Sequence, residues 1–176
     1  METRRSFMKR GFAAGITGII ASRTAPAFAQ NMKMLRIGQL GLGSHSFVGR
    51  FKNPPEEYKD KVRCAPYAVW DDVPEAAEML KKSIGFKKII KDPVKLVKES
   101  DVVHVEHADT RMVFELAQPA LEAGKPTFIN RPFTSTIADA EEAVRLARTH
   151  DAPLMCASSL EFGDDVVDMQ NFINGK

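Results

Sequence analysis

The sequence predicts an α/β domain built on a doubly wound parallel sheet, and two observations carry that expectation. From Met34 onward short β-rich runs alternate with segments of helical period, and the first run leads straight into a glycine-rich turn. Regular strand and helix alternation implies parallel strands joined by crossover helices that cover the sheet. At 176 residues the chain has room for about one such domain.

Taken in order, strands are expected at residues 35–40, 67–70, 88–90, 102–106, 127–129 and 154–157. Helices fill the gaps. The one at 74–82 has Pro in its first turn, the one at 92–99 is short, and the one at 111–123 stops at Gly124. The one at 137–149 carries Ala140, Ala143, Val144 and Ala147 at i, i+3, i+4, i+7 spacing, the mark of a helix with one buried face. Residues 50–63 fit less well: Asn53-Pro54-Pro55 and many charges predict that the helix after the first strand is short and gives way to a surface loop.

The first 29 residues read as a leader. Thr3-Arg4-Arg5-Ser6-Phe7-Met8-Lys9 precedes a weakly apolar run at 11–21, and Ala27-Phe28-Ala29 then offers small residues at a cleavage site. The apolar run is about half the ~20 residues needed to span a bilayer, and Gly15, Thr17 and Gly18 interrupt it. Paired arginines, a glycine-containing apolar region and Arg23 near the cleavage site favour twin-arginine export, with cleavage after Ala29 leaving a domain at 30–176. The mature protein is therefore expected in the periplasm or otherwise exported, with no stable membrane anchor. The whole chain carries a formal charge of +2, but without the leader 20 basic side chains face 22 acidic ones. Nothing in that balance points to nucleic acid, which calls for a basic patch on the folded part.

Cys64 and Cys156 are the two cysteines, expected on the second and sixth strands. Several strand spacings of ~4.8 Å would separate them, beyond the ~7 Å between Cα atoms that a disulfide tolerates. Two buried thiols are expected.

The strand Arg36-Ile37-Gly38-Gln39-Leu40 runs into Gly41-Leu42-Gly43-Ser44-His45-Ser46. This is G-x-G-x-x-S, where the dinucleotide-binding fingerprint has Gly or Ala at the last position. Gly41 permits the tight turn, Gly43 lets backbone approach a pyrophosphate, and Ser46 is small enough for helix packing. Ser44 and His45 lie inside the same turn, His45 either at the pyrophosphate or simply exposed. The second strand ends in Trp70-Asp71-Asp72, where a carboxylate accepts hydrogen bonds from a ribose diol. Asp71 is the candidate for that role, with a helix cap ahead of Pro74 as its alternative reading. A carboxylate there repels a 2′-phosphate, so NAD is the expected cofactor and NADP the alternative.

Further stretches add a resemblance. Asp101-Val102-Val103-His104-Val105, then Ala117-Gln118-Pro119-Ala120-Leu121-Glu122-Ala123-Gly124-Lys125-Pro126, then Asn130-Arg131-Pro132-Phe133, then Ala138-Asp139-Ala140-Glu141-Glu142-Ala143 resemble the corresponding stretches of the glucose–fructose oxidoreductase and inositol dehydrogenase (Gfo/Idh/MocA) family. The closing Phe172-Ile173-Asn174-Gly175-Lys176 resembles the turn that precedes that family's C-terminal α/β domain. The resemblance implies a Rossmann-like NAD(P)-binding domain that ends where the substrate domain would begin. It also implies a sugar or polyol substrate and allows a homo-oligomer of a full-length form. In the family a Glu-Lys-Pro lysine stands beside the nicotinamide and assists proton transfer. Here Asn130-Arg131-Pro132 replaces that triplet, and an arginine keeps the charge but is a poor proton shuttle. Ala108-Asp109-Thr110-Arg111 replaces the family's Pro-Asn turn after the fourth strand. No residue of this chain is assigned a catalytic role.

His104, Glu106 and His107 invite a metal reading, but strand periodicity puts His104 and Glu106 on one face and His107 on the other, so no metal is expected. His107 is instead expected at the nicotinamide side of a cleft, together with Ala108, Asn130 and Arg131, or else as a plain structural histidine. Ser158-Ser159 is read as a turn. The leading expectation is an exported oxidoreductase domain that serves hydride transfer to or from a sugar or polyol. Its alternatives are a glycoside-cleaving relative that keeps NAD bound, a non-catalytic nucleotide- or sugar-binding protein, and an unrelated Rossmann protein such as a methyltransferase.

Overall fold

The structure is a computed structural model that describes residues 33–43, 46, 48–51, 56, 63–157, 169, 172 and 173. The leader, Ser44, His45, Ser158-Ser159 and most of residues 50–63 and 172–176 lie outside the described residues.

Six strands form one parallel sheet: β1 (Leu35–Leu40), β2 (Cys64–Trp70), β3 (Lys88–Ile89), β4 (Val102–Val105), β5 (Thr127–Asn130) and β6 (Leu154–Ala157). Their spatial order is β3-β2-β1-β4-β5-β6, and each neighbouring pair is parallel. The connection from β3 to β4 carries the chain back across β2 and β1. A crevice therefore opens at the C-terminal ends of β1 and β4, the position where open sheets of this topology bind ligands.

Four α-helices supply the crossovers: α1 (Pro74–Ile84), α2 (Pro93–Glu99), α3 (Met112–Glu122) and α4 (Ile137–Thr149). Each boundary has a local cause. Pro74 and Pro93 occupy the first helical turns of α1 and α2, where a missing N–H costs nothing. Asp92 caps α2 by accepting from Val94 N and Lys95 N, and Thr136 caps α4 by accepting from Asp139 N. Gly85 ends α1 at φ 89°, its N–H donating to Lys81 O.

Between β1 and β2 the described residues of the first crossover include a 3-10 turn at Val48–Phe51, where a short helix was expected. β2 begins at Cys64, three residues ahead of its expected start at residue 67. Pro66 obscured that start, because a proline cannot donate to the ladder. The strand absorbs it with an irregularity: Ile37 pairs with Pro66, Gly38 pairs with Ala68, and Tyr67 is the extra residue. β3 pairs only with Ala68 and Val69, so Pro66 costs no bond on that side.

Two apolar clusters flank the sheet. The larger packs Leu40, Val103, Val105 and Ile129 against Leu96 and Val97 of α2, Leu116, Ala117 and Leu121 of α3, and Ala143, Leu146 and Ala147 of α4. The smaller packs Ile37 and Val69 against Val48, Leu80 and Phe86. Alternation along the strands explains the division, since neighbouring residues face opposite sides.

The cysteines correct one expectation. Cys64 and Cys156 sit on β2 and β6 without a disulfide, but they are not both buried: Cys64 is partly covered and Cys156 is exposed. β6 is an edge strand, so its outer positions lack the cover that the central strands receive. Among the described residues no helix is long and apolar enough to cross a membrane.

Candidate cofactor-binding site

The crevice is built from three strand ends. β1 delivers the glycine turn, β2 delivers Asp71 and Asp72, and β4 delivers Glu106 and His107. Gly41 adopts φ 87°, a conformation that strains any residue with a side chain. A Cβ there would also lie 2.5 Å from Glu106 O and 2.8 Å from His107 Cδ2. At Gly43 a Cβ would meet Glu106 Cγ at 2.2 Å and Oε1 at 2.5 Å. Both glycines thus have a reason internal to the fold, beyond the approach of a pyrophosphate: the end of β4 fills the space where their side chains would stand.

Asp71 ties the turn to β2. One carboxylate oxygen accepts from Leu42 N at 2.6 Å and the other from Val73 N at 2.8 Å. The bond to Val73 is a local turn two residues on, and the residue that caps α1 is Val73, without a side-chain cap. The helix-cap alternative for Asp71 is set aside on that geometry. Burial raises its pKa, with the Leu42 and Val73 N–H groups opposing. An ionised carboxylate has about four acceptor directions and the fold uses two, so capacity remains for a ribose diol.

Gln39 and Ser46 brace the turn from behind. The fully buried Gln39 amide donates to Gly41 O at 3.0 Å, and Ser46 Oγ donates to Gln39 Oε1 at 2.8 Å. Ser46 therefore has a partner that its smallness alone did not imply. Gln39 was missed from sequence. Its signal is an amide two residues ahead of Gly41, in a strand whose other charged or polar side chain is Arg36.

His107 turns toward β2 rather than toward β5. Its Nε2 lies 3.1 Å from Asp72 Oδ1, its ring centroid lies 6.3 Å from that of Trp70, and Asp109 N donates to its Nδ1. This contact lowers the pKa of the exposed Asp72. Donor atoms of Asp71, Asp72 and His107 lie within 4.8 Å of one another. A cation bridging them would have to displace the hydrogen bonds just described. His104 and Glu106 do share the opposite face, His104 Nε2 lying 3.9 Å from Glu106 Oε2, and both are buried.

Ala108, Asn130 and Arg131 stand at the C-terminal edge of β4 and β5. Asn130 Oδ1 accepts from Arg131 N at 2.9 Å, and the Arg131–Pro132 peptide bond is cis. Arg131 and Ala108 are exposed. Asp109 pairs with the exposed Arg111, which holds its carboxyl down at about 2.

Comparison with known proteins agrees with this geometry. Residues 14–158 match the sequence profile of the Gfo/Idh/MocA group, described as an oxidoreductase family with an NAD-binding Rossmann fold. The match begins within the stretch read from sequence as a leader. An uncharacterized oxidoreductase of Escherichia coli is 44% identical over 63 residues, which is 35% of this chain and 16% of that protein. An NAD-binding oxidoreductase structure from Klebsiella pneumoniae superposes with a TM-score of 0.66 at 24% identity, over 80% of this chain and 39% of that one. A scyllo-inositol dehydrogenase from Lactobacillus casei, solved with NAD(H) and scyllo-inositol, superposes with a TM-score of 0.64 at 19% identity, over 81% of this chain and 42% of that one. The chain spans less than half the length of either solved structure. With the sheet order, the glycine turn and the acidic end of β2 all in place, this chain belongs to the Gfo/Idh/MocA oxidoreductase family through an NAD-binding Rossmann-fold domain.

Proposed function

We propose that this chain is the cofactor-binding part of an exported oxidoreductase that acts on a sugar or polyol. The observation that carries the reading is Asp71. Its half-buried carboxyl stands beside the glycine turn, holds Leu42 N, and keeps acceptor directions for the 2′- and 3′-hydroxyls of an adenine ribose. NAD supplies the chemistry when bound, by accepting or giving a hydride at the nicotinamide. The chain's own residues bind and orient: Gly43 lets the backbone of the turn approach the diphosphate, and Asp71 and Asp72 disfavour a 2′-phosphate by charge. Arg131, just after β5, is exposed and carries a positive charge suited to orienting a hydroxylated or anionic substrate, but an arginine is a poor proton shuttle.

The substrate class is supported by the scyllo-inositol seen with one solved relative. Export is supported by Arg4-Arg5 and the apolar run that follows. Calorimetric titration of the chain with NAD, NADH, NADP and NADPH tests the cofactor reading. NAD and NADH bind and the 2′-phosphorylated pair bind more weakly, while Asp71→Ala loses about tenfold or more in NAD affinity. A folded chain that binds none of the four rejects the reading.

A further inference from the structure

A histidine reaches across the crevice from one strand end to another. β2, β1 and β4 are neighbours in the sheet, so His107, just past β4, has to cross the end of β1 to meet Asp72, just past β2. Gly41 leaves room for that crossing, since a Cβ there would lie 2.8 Å from His107 Cδ2. The ring is held on three sides: it stacks toward Trp70 with 29° between the planes, its Nδ1 lies 3.1 Å from Asp109 N, and its Nε2 lies 3.1 Å from Asp72 Oδ1. The histidine contact holds the Asp72 carboxyl below its ordinary range, so Asp72 is ionised and only accepts, and Nε2 carries the proton of the bond. The His107 side chain is 5% exposed and that of Asp72 is 47% exposed, so a buried donor fixes an exposed carboxylate. Donor atoms of Asp71, Asp72 and His107 lie within 4.8 Å of one another, which sets the two carboxylates side by side.

We propose that His107 is a positioning residue for cofactor selection: by bonding Asp72 it fixes a second carboxylate beside Asp71, and the pair disfavours a 2′-phosphate more than Asp71 does alone. The inference rests on the cofactor reading above. Asp71 is held in place by Leu42 N and Val73 N, whereas Asp72 owes its direction to His107. Without that bond an exposed carboxylate turns into solvent, where water and salt screen its charge. The effect is confined to the 2′ position. NAD and NADP differ only there, so the ratio of their dissociation constants isolates it.

His107→Phe keeps a flat ring beside Trp70 and removes the donor. Dissociation constants of the full chain for NAD and NADP, measured by calorimetry for the parent, His107→Phe, His107→Gln and Asp72→Asn, provide the test. In His107→Phe the preference for NAD over NADP falls about fivefold or more. In Asp72→Asn it falls at least as far, and adding His107→Phe to that variant lowers it no further. His107→Gln, whose amide still donates, keeps most of the preference. If the parent binds NAD but shows no preference over NADP, if His107→Phe weakens both cofactors alike, or if it lowers the preference equally with and without the Asp72 charge, the proposal is overturned and the cofactor reading stands. If the parent, shown folded by circular dichroism, binds neither cofactor, the cofactor reading falls and the proposal with it. Should His107→Phe fail to fold, His107→Met, flexible and without a donor, makes the same comparison.

Discussion

Gly43 and Glu106 illustrate how one side chain is chosen by another. With Glu106 Cγ 2.2 Å from where a Cβ would stand, an added methyl forces the carboxylate or the turn to move. Gly43→Ala therefore destabilises by about 1–3 kcal/mol, as overpacking does, and most of that penalty disappears in a Glu106→Ala background. Urea denaturation of the two singles and the double checks this. Equal penalties in both backgrounds would place the clash elsewhere. His104 sets a pH dependence. Its folded-state pKa of about 3 lies below the ordinary 6.5, so on acidification the unfolded chain takes up the proton first. Stability contributed by neutral His104 is complete above pH about 6.5 and is lost between there and about 3, with a slope of up to about 1.4 kcal/mol per pH unit. Urea midpoints from pH 7 to pH 4 should fall with that slope, and His104→Gln should flatten it.

At the scale of elements, most boundaries follow from residues that act within a few positions of themselves. Asp92, Thr136 and Gly85 are caps, and each helix they bound was visible in sequence. Lys125 is different. Its ammonium donates to Val97 O, Lys98 O and Ser100 O, so a residue just before β5 closes the C-terminal end of α2. This gives a physical reason for a lysine after Gly124: the positive charge meets the carbonyls that a helix end leaves without partners. Lys125→Met is expected to cost about 1–2 kcal/mol. Amide exchange within α2 should speed up more than exchange within α4, and uniform acceleration through the domain would count against the cap.

For the whole molecule, the sheet order fixes where a ligand can go, because the chain reverses direction across the sheet between β1 and β4. The charge balance without the leader, 20 basic to 22 acidic side chains, leaves that crevice's local charges to decide selectivity. Export by the twin-arginine route, as proposed, depends on Arg4-Arg5. Replacing both by Lys in the natural host should leave folded, cofactor-competent protein in the cytoplasmic fraction. Periplasmic protein at parental levels would reject twin-arginine export.

Strand and helix identities, the parallel sheet and the place of the glycine turn after β1 were legible in the sequence because each depends on local periodicity, a cap or a turn residue. The early start of β2 was hidden because Pro66 argues against a strand on local grounds, and only the short pairing of β3 makes it harmless. The roles of Gln39, Glu106 and Asp72 were hidden for a deeper reason. Each is defined by what another strand brings to the crevice: Gln39 by its bonds with Gly41 and Ser46, Glu106 by Gly43, and Asp72 by His107 reaching across from β4. His107 was expected at the nicotinamide side because sequence places it only at a strand end, and the direction of its ring depended on Trp70 and Asp72. Sequence by itself determined the elements and the chemistry available at their ends. Tertiary structure alone decided which of those ends touch, since long-range contacts are set by strand order and packing rather than by any local propensity.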